Sequence, residues 1–320
     1  MVIKYKLFDL REVDFMEIRT VSIIGLGALG ILFGNHLSKR MPKADLRIIA
    51  DRDRIKKYES NHVYCNEEFC EFNYMTPEES CEPADLIIFT VKYDGLNDAI
   101  QAVKNHVGEQ TIILSALNGI TSEDVIGDTY GMDKILYCVA QGMDAVKVKN
   151  KLTYEHMGML CFGEGEPGVI SSKVKKVAEF FEKMEVPYEA VTDMNKRLWG
   201  KFMLNVGVNQ TVAVYESNYG EIQKEGQARD TMISAMREVM ALSEKKGLNL
   251  TEEDLSYWLK ILSTLSPSGK PSMGQDLEAR RYSEVELFSG TVIKMGEKYG
   301  IPTPVNKQLY DKIKFIESQY

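Results

Sequence analysis

The stretch Val21-Ser22-Ile23-Ile24-Gly25-Leu26-Gly27-Ala28-Leu29-Gly30 decides the fold of this 320-residue chain. Its first four residues read as a buried strand, and the glycine turn that follows opens a helix running to about Arg40. The glycines have separable tasks: Gly25 for a tight turn, Gly27 for close approach of the backbone to a pyrophosphate, Gly30 for packing the helix on the strand. The helix N-terminus adds free N–H groups and the positive end of a dipole. Such a string alone is a weak signal, but strand and helix flank it correctly here. The run Gly25, Leu26, Gly27, Ala28, Leu29, Gly30 therefore reads as a dinucleotide-binding fingerprint.

Downstream, a second strand at Leu46 to Ala50 ends in Asp51-Arg52-Asp53-Arg54, which completes a βαβ unit. An acid at this place holds an adenine ribose 2′-OH, and a base holds a 2′-phosphate. Both are present: Arg52 or Arg54 favours NADP and Asp51 favours NAD, with a solvated helix start as the plain alternative. The balance leans slightly to NADP (as NADPH), through Arg52. The runs 85–91, 111–115 and 135–140 repeat the strand type, so the first half is a doubly wound sheet. Val63 to Phe72, and Leu152 to Phe162 around Met157-Gly158, read as small hairpins decorating it. After Tyr188 to Val191 the strand signals stop, and helices are expected from Asn195, Ala228, Glu252, Ser283 and Val305. The expected architecture is an α/β Rossmann domain at 20–191 and an all-α domain at 192–320, with an N-terminal extension at 1–19.

Composition narrows the function classes. Acidic residues outnumber basic ones, 47 to 39, and no basic stripe breaks the excess, which argues against a nucleic-acid surface. An anionic ligand would thus need local positive groups. No apolar run of roughly 18 residues and no signal-peptide pattern occurs, so neither a membrane span nor export is expected. Five cysteines without a CxxC pair fit a reducing cytoplasm better than a disulfide framework. The four histidines stand apart with no second ligand at metal spacing, so no metal site is expected.

Polar residues at three places in the chain remain to be explained. Lys92 follows the strand Leu86 to Val91 at the carboxyl edge of the sheet, where open α/β folds bind ligands. Asn118-Gly119 reaches the same edge, either as an ordinary turn or as an amide for ribose, nicotinamide or substrate. In the second half, Lys201, Asn205 and Asn209 stand at i, i+4 and i+8 on an otherwise apolar helix. A lysine buried there is expensive unless something uses it, the alternative being a snorkelling side chain beside two amides.

Taken together the motifs resemble those of the ketopantoate reductase (2-dehydropantoate 2-reductase) family: Gly25 to Gly30, Val91-Lys92, Asn118-Gly119, Lys201/Asn205/Asn209, Ser272 to Asp276, Glu284 twelve residues beyond Ser272, and Thr303-Pro304-Val305-Asn306. The resemblance spans nearly the whole chain from Val21. It implies a helical domain like that of 6-phosphogluconate dehydrogenases and an active site in the cleft between domains. It also implies roles: Lys201 as general acid, Glu284 bonding the substrate hydroxyl and fixing Lys201, and Asn205, Asn209 and Ser272 holding substrate. Asn118, Lys92, Arg52 and Glu284 would touch cofactor, with Asn118 also at the substrate. The activity implied is NADPH-dependent reduction of 2-dehydropantoate to (R)-pantoate, towards coenzyme A. Reduction of another 2-oxo acid, with NAD as the other cofactor, and a non-catalytic NADP-binding regulator are the alternatives. No sequence stripe singles out a homodimer face. Departures from the family pattern are the long loop Lys39 to Asp45, which loosens the alignment of Arg52, and Gly200 and Gly142-Met143-Asp144-Ala145, which point to an altered substrate pocket.

Overall fold

The structure is a computed structural model that describes residues 17–320; most of the expected extension at 1–19 lies outside the described residues. Its last three residues belong to the fold. Ile18 is buried in the core, Glu17 pairs with Lys183, and the Arg19 N–H donates to Asp85 at 2.8 Å.

The first half builds one sheet from β1 (Val21–Ile24), β2 (Leu46–Ile49), β5 (Tyr74–Met75), β6 (Leu86–Phe89), β7 (Ile112–Ser115), β8 (Ile135–Gln141), β11 (Met159–Gly163) and β12 (Tyr188–Ala190). A smaller sheet holds β3 (Tyr64–Cys65), β4 (Glu68–Phe69), β9 (Val146–Val148) and β10 (Lys151–Thr153). The large sheet runs β12-β11-β8-β7-β6-β1-β2-β5. From β5 to β8 all pairings are parallel, in the order of a six-stranded dinucleotide-binding sheet, with the reversal between β1 and β6. Alternate strand residues feed two cores. Val21, Ile23, Ile48 and Ile88 pack under α1 (Ala28–Ser38) and α5 (Ser172–Lys183), while Ile24, Ile87 and Phe89 pack under α3 (Leu96–Ala102) and α4 (Ser122–Tyr130). The charged α2 (Arg52–Asn61) buries no residue.

Two expectations change. The segment Leu152 to Phe162 is not one hairpin: β10 pairs with β9 in the small sheet, whereas β11 joins the large sheet antiparallel to β8. Leu160, Cys161 and Phe162 are fully buried, so this run extends the core instead of decorating it. The sheet is consequently mixed, since β11 reverses direction.

The second half is helical. Its axis is α6 (Met194–Val214), whose buried residues fall on all sides, and α7 (Gln227–Lys245), α8 (Glu252–Ser263), α9 (Ser272–Glu278), α10 (Thr291–Tyr299) and α11 (Pro304–Glu317) pack around it. A π-helical turn at Glu286–Gly290 runs directly into α10. Among the described residues, no helix is long and apolar enough to cross a membrane.

Candidate active site

The glycine turn sits at the point where strand order reverses. Gly25 adopts φ +98°, and a Cβ there would lie 2.7 Å from the Val91 side chain. At Gly30 a Cβ would fall 1.8 Å from the Gly25 carbonyl, so helix and turn can close only without one. Thr90 ties the turn to β6, its hydroxyl donating to the Ile24 and Gly25 carbonyls at 3.0 and 2.6 Å. At Gly27 an added Cβ would meet only the Thr90 carbonyl, at 3.4 Å, which leaves its other side clear for a close neighbour. No side chain caps α1, and its first turn contains no acid, so its terminal N–H groups face outward without a protein acceptor. This cradle fits a dinucleotide pyrophosphate.

At the end of β2 the two candidate ribose contacts are used differently. Asp51 is the N-cap of α2, accepting from the Arg54 N–H at 2.8 Å and pairing with the Arg54 guanidinium at 3.3 Å. Arg52 begins the helix, is exposed, and lines a hollow of about 540 Å³ with Lys43 and Lys56.

Lys201 lies across the domain boundary. It projects from α6 against β8, where its ammonium donates to the Ala140 carbonyl at 2.6 Å and to the Asn118 side-chain oxygen at 3.2 Å. Burial pushes its pKa down to about 8, and the nearby Glu284 and Glu123 carboxylates oppose that shift. The Cys138 and Cys161 thiols are fully buried and themselves pushed up, Cys161 to about 12, so they stay neutral beside the ammonium.

Glu284, at the start of the segment leading into the π-turn, meets the same asparagine. Burial raises its pKa, while the Lys92 charge, a hydrogen bond from the Asn118 amide and one from the Tyr93 backbone act the other way. Among the described residues Glu284 and Lys201 form no ion pair; Asn118, whose oxygen accepts from the Lys201 ammonium, also lies close enough to Glu284 to lower its pKa. Gly119 makes this possible. With φ +97° and a Cβ position only 2.7 Å from Leu287, it lets the turn seat tightly on the π-helical segment that follows Glu284.

Lys92 bonds Asp276 at 3.0 Å, joining the sheet edge to α9, and Arg281 holds the other oxygen of Asp276 at 2.8 Å. Along the stripe, Asn209 donates to Asn205 at 3.4 Å and accepts from Ser272 at 3.4 Å and the Met273 N–H at 3.5 Å. Asn209 is buried and engaged with the start of α9, while Asn205 and Ser272 keep more open positions. One turn before Lys201, Arg197 makes a two-pronged pair with Glu189 at 3.0 and 3.2 Å and reaches the Tyr257 hydroxyl at 3.2 Å. Helical spacing from Lys201 was the only sequence signal for it.

Gly200 has a packing explanation instead of a pocket one. A Cβ there would lie 2.1 Å from the Trp258 indole nitrogen, so the glycine admits a tryptophan from α8. His156 is less isolated than the sequence suggests: it sits 2.7 Å from Asp144 with Glu155 alongside, all exposed. Asp144 is already accepting the Glu155 and His156 N–H groups at 2.9 Å each.

The ketopantoate reductase PanE/ApbA model matches residues 21–166, and the ketopantoate reductase PanE/ApbA C-terminal model matches residues 193–317. A 2-dehydropantoate 2-reductase of Streptococcus pyogenes serotype M6 is 26% identical over 298 residues, covering 92% of this chain and 96% of that protein. Among solved structures, a PanE/ApbA family ketopantoate reductase from Ralstonia eutropha superposes with a TM-score of 0.78 at 23% identity, covering 94% of this chain and 99% of that one. D-mandelate dehydrogenase in complex with NADH and anilino(oxo)acetate gives a TM-score of 0.83 at 20% identity, with the same coverages.

Proposed function

The chain belongs to the ketopantoate reductase family, an NAD(P)-dependent oxidoreductase family acting on CH–OH groups, and on that premise we propose that it reduces 2-dehydropantoate to (R)-pantoate with NADPH. The observation that carries the reading is Lys201, drawn into the cleft from the helical domain and held by Ala140 and Asn118 from the sheet. The nicotinamide, when bound, supplies the hydride.

In this reading the protein's part is to place charge and a proton. Reduction of a keto group gathers negative charge on one oxygen, and the Lys201 ammonium stabilises and then neutralises it. A pKa near 8 suits the task, because the group is mostly protonated at neutral pH yet gives up its proton more readily than an exposed lysine. Asn118 holds the ammonium in place, and Glu284 accepts the substrate hydroxyl. Asn205 and Ser272 receive the carboxylate, with Asn209 positioning both. Gly25 to Gly30 cradle the pyrophosphate and Lys92 lies at the cofactor edge. Arg52 is the 2′-phosphate contact, a choice supported by the commitment of Asp51 to capping α2.

The test is NADPH oxidation by purified protein with 2-dehydropantoate, and with other branched and aromatic 2-oxo acids in parallel. Preference for 2-dehydropantoate is expected. Brisk turnover of another acid with none of 2-dehydropantoate would replace the substrate and keep the class; an Arg52→Ala variant with an unchanged NADPH-to-NADH ratio would remove Arg52 from the site.

A further inference from the structure

The small sheet brings one of its own side chains into the cofactor cradle. In β9 the alternation is inverted: Val146 and Val148 face solvent, at 38% and 66% exposure, while Lys147 between them points inward. A strand that exposes two valines to bury a lysine runs against the hydrophobic preference, and the lysine's destination explains it. Its ammonium donates to the Leu26 carbonyl at 2.5 Å, in the middle of the glycine turn.

Three features converge there. The terminal N–H groups of α1 have no capping side chain and no acid in the first turn. Gly27, adjacent to Leu26, has one clear side. Burial lowers the Lys147 pKa, and among the described residues no carboxylate pairs with it. A helix dipole's positive end and a half-buried ammonium without a counter-charge thus share one small volume. Like charges gathered in this way are costly to hold unless an anion joins them.

We propose that Lys147 is a further cofactor-binding residue, which contacts the dinucleotide pyrophosphate from the side opposite the helix N-terminus and clamps it between β9 and the turn. The proposal rests on the family's nicotinamide dependence and is independent of which 2-oxo acid is reduced. It gives the small sheet a purpose: β3, β4 and β10 brace the edge strand that presents one lysine. It also supplies local positive charge to an anion site in a chain of formal net charge −8.

The experiment is a fluorescence titration of the full chain with NADPH and with NADH, no keto acid present, comparing wild type, Lys147→Met and Lys147→Arg. Adenosine 2′-phosphate, which lacks the pyrophosphate, serves as a competitor. In Lys147→Met, the dissociation constant of whichever dinucleotide binds should rise about tenfold, with Lys147→Arg recovering most of it and adenosine 2′-phosphate unaffected. The melting temperature should stay put. Unchanged dinucleotide affinity in Lys147→Met would overturn the assignment. So would an equal loss for adenosine 2′-phosphate, which would mean a diffuse field, or a loss that tracks a lowered melting temperature and is not rescued by arginine, which would mean a structural tie. Because no substrate enters the titration, a wrong 2-oxo acid leaves the result standing.

Discussion

The glycine turn and the Lys201 site are built in opposite ways. The turn is a contiguous run, and its geometry follows from which of its residues lack a Cβ. The Lys201 site is assembled from Asn118 on a sheet loop, Lys201 on α6 and Glu284 before the π-turn, brought together only when the two domains meet. The contrast teaches that a dinucleotide turn can be encoded locally, whereas a half-buried ammonium needs neighbours from distant segments to hold it and set its charge.

That separation can be broken at either end. The largest effect is expected for Lys201→Ala, which should lower kcat for keto-acid reduction about 10³-fold while leaving the NADPH dissociation constant unchanged. Loss of cofactor affinity of the same size would show that the two sites are not independent. In wild type, the reduction rate should fall as pH rises through about 8, because the pKa is lowered from that of a free lysine and the required form is the protonated one. A pH-rate profile flat to pH 10 would exclude Lys201 as the acid.

Gly30→Val attacks the other side. The added Cβ would collide with the Gly25 carbonyl, so dinucleotide affinity should fall about a hundredfold, with some loss of stability as helix and turn separate. Retained NADPH binding in titration would mean that the turn relaxes more freely than its packing suggests.

The smallest effect concerns Glu123, which follows the Asn118-Gly119 turn without touching the site. It is fully buried, one carboxyl oxygen has no partner, and the other accepts from Ser122 at 2.8 Å. Burial pushes its pKa up to about 7. A raised carboxylate pKa favours the folded state at low pH, and that contribution is lost as pH rises from about 4.5 to about 7. Glu123→Gln should therefore raise the melting temperature by a few degrees at pH 8 and by little at pH 4.5. Equal gains at both pH values would mean that the effect is one of packing rather than charge.

The same contrast governs what was legible beforehand. Strands β1, β6 and β7 show in the sequence because burial on both faces leaves short runs that are apolar but for one small serine each in β1 and β7, and α6 shows its polar stripe through i, i+4 spacing. The fate of Leu152 to Phe162 was not readable, since whether an apolar strand pairs with its neighbour or joins a distant sheet depends on partners that local pattern does not name. Gly200 looked like a pocket change because the tryptophan that needs its space comes from 58 positions along the chain, in α8.

By itself, then, the sequence determined the dinucleotide turn, the order of a sheet half followed by a helical half, and the residue types able to move a proton. Each is a matter of periodicity or of missing Cβ atoms within a few residues. Tertiary structure alone decided that Asn118 and Ala140 hold the Lys201 ammonium, that Asp51 caps α2 in place of standing free, and that Lys147 turns inward beside Leu26. These depend on burial and on charge partners far apart in the chain, and both quantities exist only once the chain has folded.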